Sequence, residues 1–488
     1  MGSRIDPDIE THGPPNHELC SSKASRLSHG PFTLEDVLSV ANTHPFYVPN
    51  VQYPPDTGTI KTARDNASQG QDGANLESQP LLTKKQLYTT IERLVQDPSP
   101  ENTYRHAVYA SITGGGSGST PLFFATDVSE NRQQRTRFGQ FIRKTGIIEH
   151  GDWVLTTHCS GELYRSLDLV LEILENAGAS VLAAGNLMPP VELAQLIVKY
   201  HINVLAGDSS QVVQFVHYVS TLPREEQQKI KLNKIIYTSE VLTAAQRQHI
   251  ITTLGQVTIC SILGSAEAGA WAVNHPDLVE KRAPSSAADF IFDTRTMLVE
   301  VVPPALAEGG SPTDYPPVPD GQRGVIVQTS LSRLRNPLVR YNTGDVGSLH
   351  PLPDHTRPLL PESDWPYLRV LRLEGRDGRF SFDWDGEYID FSDLTKLITA
   401  EECGVLQWQT VLDTMQPSLE SSLEFRLLTS PRTEGLLSLD DLTQRLRKFV
   451  HAYSSNEHRF FVTFVQDLNG FELSKSGRKV IKFIDRYN

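Results

Sequence analysis

The chain has 488 residues, with 45 Lys and Arg against 58 Asp and Glu, a formal net charge of −13. With 39 % hydrophobic and 21 % charged residues it can bury a sizeable core, which rules out disorder throughout. The acidic balance argues against a general nucleic-acid binder, which needs clustered Lys and Arg to neutralise phosphate. A local site can still hold a small anion against the global field.

Residues 1–30 are rich in Pro, His, Ser and Asp without periodicity and predict a loose tail. The polar stretch 54–80 predicts a long loop. From about residue 105 short apolar runs alternate with amphipathic ones: strand 153–156, helix 163–177, strand 180–184, helix 191–200, strand 203–206, helix 211–222, strand 234–237, helix 243–254 and strand 257–262. Strand–helix–strand at this spacing implies right-handed crossovers and a largely parallel sheet. Beyond residue 280 the texture becomes Pro-rich, with strands at 297–302 and 324–330 predicting an antiparallel sub-region. The last stretch reads as a small α+β unit, with strands 406–412, 423–428 and 460–464, a helix over 439–452, and a closing helix or strand at 479–484. The expected class is α/β: a large amino-terminal domain of mostly parallel sheet with an antiparallel sub-region, then a small carboxyl-terminal α+β domain.

Cys20, Cys159, Cys260 and Cys403 are widely spaced, offering neither a zinc motif nor a disulfide framework. No run of 18 apolar residues could span a bilayer. The opening Met1-Gly2-Ser3-Arg4-Ile5-Asp6 lacks the apolar core of a signal peptide. Asp6 stands where a myristoylation signal wants Ser or Thr. A cytoplasmic protein with no membrane partner is the expectation.

The sharpest local signal is Thr113-Gly114-Gly115-Gly116-Ser117-Gly118-Ser119-Thr120-Pro121, after the apolar run 107–112. Glycines bring backbone N–H groups close to a phosphate, and Thr and Ser hydroxyls add donors. The competing reading is a flexible Gly/Ser turn. No lysine follows Gly118, so this is not a Walker loop, and Ser119 breaks the Gly-x-Ser-x-Gly elbow of the α/β-hydrolases.

A second signal, Leu263-Gly264-Ser265-Ala266-Glu267, follows strand 257–262. A carboxylate at the carboxyl end of a strand stands where open α/β sheets bind ligands. Glu267 can ligate Mg²⁺ through oxygen; alternatively it opens a helix beside the positive dipole end. The third is Arg340-Tyr341-Asn342-Thr343-Gly344-Asp345, read as a polar turn. There Asp345 either accepts from a ribose diol or makes an Asx turn beside a surface arginine.

Together and in this order, these segments resemble the acyl- and aryl-acid adenylate-forming superfamily, and within it the phenylacetate–coenzyme A ligase branch. Also similar are His44-Pro45-Phe46-Tyr47 and Pro80-Leu81-Leu82-Thr83-Lys84, Thr238-Ser239-Glu240 at the adenine segment, and the stretch from Gly321 to Thr329. Gly375-Arg376-Asp377-Gly378 looks like the hinge motif, and Ser476-Gly477-Arg478-Lys479-Val480 like the catalytic-lysine segment. The likeness covers roughly residues 35 to 488. It implies a tail (1–34), a large adenylation domain (35–374), a hinge (375–378) and a small mobile domain (379–488).

The implied reaction has two steps. A carboxylate attacks the α-phosphate of MgATP, giving an acyl-adenylate and pyrophosphate; a thiol, usually that of coenzyme A, then displaces AMP. By resemblance the Thr113–Gly118 loop cradles the β- and γ-phosphates and Glu267 helps bind Mg²⁺. Asp345 holds the ribose with Arg376 nearby, and Ser239 and Glu240 border the adenine beside Leu263, Gly264, Ser265 and Ala266. Lys479 reaches the bridging oxygens during adenylation only. The acyl-pocket wall falls on His158, Cys159 and Gly161, on Asp208, and on Gly264. His158 reads as a pocket gate or a strand-end cap, and Cys159 as a small wall residue rather than a nucleophile. Asp208 reads first as an N-cap of helix 211–222; facing the pocket, it would suit an amine-bearing or polar acid.

The pattern also departs from the family. Leu263 stands where a tyrosine stacks on adenine, Ala266 replaces a Ser or Thr, and Gly378 and Arg379 replace an acidic pair. Arg478 precedes Lys479 where glycine is usual, so Lys475 and Lys482 compete for its role. Transfer to an amine or a carrier-protein thiol is an alternative second step, and a degenerate nucleotide-binding regulator is the alternative from another class.

Overall fold

A computed structural model describes residues 31–69, 75–112, 123–161, 163–279, 287–303, 316–376, 381–474 and 479–487. The chain opens with helices α1 (Leu34–Ala41), α2 (Thr57–Gln69) and α3 (Lys84–Gln96). Thr33 and Asp36, and Thr83 and Gln86, form reciprocal capping boxes that satisfy the first N–H groups of α1 and α3. The expected loop over 54–80 therefore contains a helix. Only Ile60, Ala63, Arg64 and Ala67 of α2 are partly covered. Those positions lie at i, i+3, i+4 and i+7, a helical stripe with Ile60 as its one large apolar residue beside two alanines and an arginine, and so weak in a hydrophobicity reading.

A hairpin of β1 (Val108–Ile112) and β2 (Phe123–Asp127) leads into α4 (Val128–Lys144) and β3 (Trp153–Thr156). A short ribbon, β4 (Ser160–Gly161) with β5 (Tyr164–Arg165), precedes α5 (Ser166–Asn176) and β6 (Ser180–Ala183). Next come α6 (Pro190–Tyr200), β7 (Val204–Asp208), α7 (Ser209–Thr221), α8 (Arg224–Gln227), β8 (Lys234–Thr238), α9 (Ala244–Leu254) and β9 (Thr258–Ser265). Strands β10 (Gly269–Asn274), β11 (Ala288–Asp293), β12 (Met297–Val302), β13 (Gly324–Ser330), β14 (Tyr341–Pro351) and β15 (Leu368–Arg376) complete the first part.

Among the described residues these strands form one eleven-stranded sheet, in the order β12-β13-β14-β15-β11-β10-β9-β8-β7-β3-β6. From β6 to β9 every pairing is parallel; from β9 to β12 every pairing is antiparallel. The expected α/β class with an antiparallel sub-region is thus present in a single continuous sheet. The central parallel strand β7 is covered on both faces and buried at every position, and its first part reads as an apolar run. The chain passes from β3 to β6 on one side and then returns to β7 on the other. The order therefore reverses between β3 and β7, and a crevice at their carboxyl ends is where such sheets bind ligands.

The remaining elements are β16 (Ser381–Trp384), β17 (Glu387–Asp390), α10 (Phe391–Ile398), β18 (Val405–Thr414), β19 (Ser421–Thr429), α11 (Leu439–Phe449), β20 (Phe460–Phe464) and β21 (Phe483–Asp485). The segment expected to close the chain as helix or strand is thus strand β21. A sheet in the order β20-β19-β18-β21 carries its own apolar core around Trp384, Phe425, Leu442 and Leu446. A second contact joins this region to the large sheet: Leu406, Leu428, Leu468, Phe471 and Val480 share one buried cluster with Val216 and Ile250 on α7 and α9.

Candidate functional site

Glu267 does not open a helix. β9 runs on through Ser265, and Glu267 sits in the turn between β9 and β10. Gly264 lies opposite Ala270 in that hairpin, where an added Cβ would stand 2.8 Å from the Ala270 Cα, so only glycine permits the approach. Ser265 Oγ accepts from the Ala268 N–H at 3.0 Å and closes the turn around Ala266. The Glu267 side chain is only 6 % exposed. Its Oε1 accepts from the hydroxyls of Tyr88, at 3.0 Å, and Tyr341, at 3.2 Å. Arg333, fully buried beside it, donates to the Glu267 carbonyl. Burial pushes the Arg333 guanidinium down to about 10, with the charges of Glu130 and Glu267 opposing. Leu263, partly buried, packs against the apolar cluster that includes Phe124 and Trp271.

The Asp345 motif is not a turn between elements. It lies inside β14, where the register with β13 jumps from Val325↔Val346 to Val327↔Asn342. The residues between form a bulge. Gly344 at φ +75° supplies the left-handed residue this needs. Asn342 Oδ1 accepts from the Gly344 N–H at 2.9 Å, and Thr343 Oγ1 accepts from the Asp345 N–H at 3.0 Å. Asp345 and Arg376 are direct cross-strand partners of β14 and β15. The flanking Arg340, expected at the surface, is buried: it pairs with Glu300 at 3.1 Å and donates to the carbonyls of Glu77 and Gln79. Leu82 bridges Tyr341 in parallel fashion, so the Pro80–Lys84 segment is stitched to this motif. His44 and Tyr47 serve the same wall: His44 Nε2 bonds Asn336, and the Tyr47 hydroxyl receives the Val339 N–H at 2.7 Å.

His158 and Asp208 stand at the carboxyl ends of β3 and β7, at the reversal of strand order. Asp208 occupies the N-cap position of α7, yet its side chain makes no capping bond. Instead Oδ1 accepts from Thr238 Oγ1 at 3.2 Å and Ser239 Oγ at 2.5 Å. His158, 1 % exposed, is bonded through Nδ1 to Thr156 Oγ1 at 2.8 Å and through Nε2 to Thr238 Oγ1 at 3.0 Å. Burial lowers its pKa, with Asp208 opposing.

With a neutral imidazole, one proton assignment satisfies this chain. A carboxylate only accepts and the Thr238 hydroxyl donates once, so Thr238 donates to Asp208 and receives the proton of His158 Nε2. Nδ1 is then bare and accepts from Thr156. Asp208 is 3 % exposed, and its Oδ2 is buried without a hydrogen-bond partner among the described residues. Leaving such an oxygen unpaired costs about 1–3 kcal/mol or more. Ser239 itself adopts φ +81°, a strained value for a residue with a Cβ. Cys159 is buried, its N–H donating to Ser166 Oγ. Gly161 is exposed in the β4–β5 ribbon opposite Tyr164.

Beyond Ser239, Glu240 Oε2 lies 3.8 Å from the Lys482 ammonium. Lys482 also donates to Gln407 Oε1, and Gln407 donates to Ser210 on α7 at 3.0 Å. Burial lowers the Lys482 pKa, and Glu240 raises it. Gln246 of the α9 capping box gives its amide N–H to the Leu406 carbonyl. Lys479 faces Ser474: its N–H donates to Ser474 Oγ, and its carbonyl accepts from the Ser474 N–H at 2.7 Å.

Thr113, Gly114, Gly115, Gly116, Ser117 and Gly118 lie outside the described residues, as do Asp377, Gly378, Lys475 and Arg478. Three participants were not singled out by sequence: Tyr88, Thr238 as a bridge, and Arg333. Tyr88 is 179 positions from Glu267, and no local spacing signals a contact made by chain folding. Among the described residues no cluster of three or more His, Cys, Asp or Glu could hold a metal alone, and no helix is long and apolar enough to cross a membrane.

No family model and no curated protein matches the chain significantly. Solved structures do. Against 2-hydroxyisobutyryl-CoA ligase in the postadenylation state with 2-HIB-AMP the TM-score is 0.61 at 17 % identity, covering 93 % of this chain and 88 % of that one. The same enzyme with R3-HIB-AMP gives 0.59 at 18 % identity, with the same coverage of both chains. Its thioesterification state with 2-HIB-AMP and CoA gives 0.52 at 18 %, again over 93 % and 88 %. The chain has the fold of these adenylate-forming CoA ligases.

Proposed function

We propose that this chain activates a carboxylic acid with ATP, forming an acyl-adenylate and pyrophosphate, and then passes the acyl group to the thiol of coenzyme A. The observation that carries the reading is the pair of hydrogen bonds from Tyr88 and Tyr341 to Glu267. They fix a buried carboxylate on the β9–β10 turn and connect it to the strand bearing Asp345. The fold adds support, because the solved ligases that share it hold acyl-AMP adducts and, in one state, CoA.

The residues present fit a magnesium nucleotide. Both tyrosines bond Oε1, which leaves Oε2 of Glu267 as a hard oxygen donor suited to Mg²⁺. With one carboxylate at hand, an ion there would complete its shell with phosphate oxygens and water. When bound, the metal would neutralise phosphate charge. Asp345, raised on its bulge beside the Arg376 strand position, would accept from the ribose diol. Ser239 and Glu240 would border the adenine. Lys482 is engaged by Gln407 and Glu240, whereas among the described residues nothing pairs with the Lys479 ammonium. Of these two, Lys479 is the lysine proposed to meet charge building on the α-phosphate; Lys475, the other competitor, lies outside the described residues. The part from residue 379 onward would turn about the 375–378 segment between the two steps.

The test is acid-dependent exchange of pyrophosphate into ATP over aryl, fatty and amino-substituted acids. Exchange with one group of acids supports adenylation. Folded, ATP-binding protein that exchanges with none favours a degenerate nucleotide-binding role. Supplying CoA, hydroxylamine or an acyl-carrier thiol to the adenylate then identifies the acceptor; product formed without CoA would remove the CoA-ligase label.

A further inference from the structure

The acid that this site takes is marked by one unfinished group. Asp208 stands at the carboxyl end of β7, beside His158 at the end of β3, where the strand order reverses. All the donors it receives from the protein converge on Oδ1, from Thr238 and Ser239. Oδ2 is buried and receives none from the described residues. Among the described residues no Lys or Arg pairs with this carboxylate, and burial lowers the pKa of its neighbour His158. A capping role would have used Oδ2 on the N–H groups of α7, and the structure has no such bond. Most buried polar atoms have a hydrogen-bond partner, so a buried carboxylate oxygen left without a donor at the end of these strands calls for one from outside the chain.

We propose that Asp208 is a specificity-determining residue whose Oδ2 accepts a hydrogen bond from an ammonium group on the substrate acid, so that the chain prefers amine-bearing carboxylic acids. The assignment rests on reading the site as acid-activating. The relay from Thr156 through His158 and Thr238 polarises donors toward Oδ1 and holds the carboxylate in one orientation. The strained Ser239 backbone fixes the second donor. A cationic N–H···O bond in a dry site is among the stronger single contacts available to a ligand.

The experiment uses matched acids differing only in the amine: 4-(aminomethyl)benzoate with 4-methylbenzoate, 4-aminobutyrate with butyrate, and 3-aminopropanoate with propanoate. Binding is measured by calorimetry without ATP, and pyrophosphate exchange separately, for the full chain and for Asp208→Asn. Asn keeps an acceptor for Thr238 and Ser239 while removing the charge. The expected result is a preference of about tenfold or more for the amine in at least one pair, falling toward one in Asp208→Asn, with the change in KM rather than kcat. Should that variant fail to fold, the preference of the unmodified chain decides alone. Equal or weaker binding of the amine in every pair, absence of binding in all of them, or a preference that survives Asp208→Asn overturns the assignment. Amine-selective binding without exchange would overturn the adenylation reading and leave this one standing; exchange without amine preference would do the reverse.

Discussion

The hydroxyl of Tyr341 donates a 3.2 Å hydrogen bond to Oε1 of Glu267, tying the strand that bears Asp345 to the β9–β10 turn. Two segments separated by 74 positions thereby share one rigid joint. Movement of either would be felt by the other, so the ribose-binding and phosphate-facing groups proposed here are set at a fixed spacing.

Tyr341→Phe removes that joint and leaves Tyr88 as the single donor. The expected cost in stability is about 1 kcal/mol, read by urea unfolding. The KM for ATP in the exchange assay should rise several-fold while the KM for the acid changes less. An unchanged ATP dependence would separate this contact from nucleotide binding.

Glu267→Gln keeps the side chain's shape and its acceptor for both tyrosines but removes the charge. Exchange should then require more Mg²⁺ and more ATP, the curves for both shifting to higher concentration. A magnesium titration that superimposes on that of the unmodified chain would take Glu267 out of the metal site.

Lys479→Ala should abolish adenylation while sparing thioester formation from a preformed acyl-adenylate, because the ammonium acts only where charge accumulates on the α-phosphate. Lys482→Ala, which breaks the contacts to Gln407 and Glu240, should weaken docking of the carboxyl-terminal region and affect both steps. Equal loss of both half-reactions in Lys479→Ala would assign it a structural part instead.

Burial lowers the pKa of His44 to about 3, with the Asn336 hydrogen bond opposing. In the unfolded chain the same imidazole titrates near 6.5. The unfolded state therefore binds a proton first as pH falls, and the contribution of a neutral, buried His44 is complete above about pH 6.5. Below that it is lost at up to about 1.4 kcal/mol per pH unit until the folded-state value is reached. Urea unfolding of the unmodified chain and of His44→Gln between pH 7 and pH 4.5 should show a shallower pH slope in the variant. Parallel slopes would mean that His44 does not report this linkage.

At the opposite end of the strands, Lys234 pairs with Asp152 at 3.0 Å, the side chains being only 8 % and 6 % exposed. Asp152 also receives the Asn203 amide and the Glu149 N–H, so β3, β7 and β8 are clamped at their amino ends. Lys234→Met strands a buried carboxylate and should cost about 3–5 kcal/mol, seen as a lower thermal midpoint. Because the clamp is remote from the crevice, KM values measured below that midpoint should not move; a change in KM would show that strand spacing reaches the site.

Sequence alone determined the elements whose apolar pattern matches their backbone period. Strands β12 and β13 were expected at 297–302 and 324–330 and occur there, because runs of Val, Ile and Leu bounded by polar residues have few alternatives. The same holds for the central parallel strands β7 and β8, buried at nearly every position. Sequence also carried the order of the motifs, since each is a contiguous string. It misread α2, whose covered stripe holds no large apolar residue except Ile60, and Arg340, whose charge is neutralised by Glu300 far along the chain. It offered a helix start as the alternative for Glu267 and read the Asp345 motif as a polar turn, because local spacing does not say which strand will pair across a Gly-containing segment. Tertiary structure decided that Tyr88 and Tyr341 meet Glu267, and that Asp208 leaves its helix uncapped to accept from Thr238 and Ser239. Hydrogen bonds between distant segments depend on where the sheet brings their ends together, and strand order is a property of the whole chain.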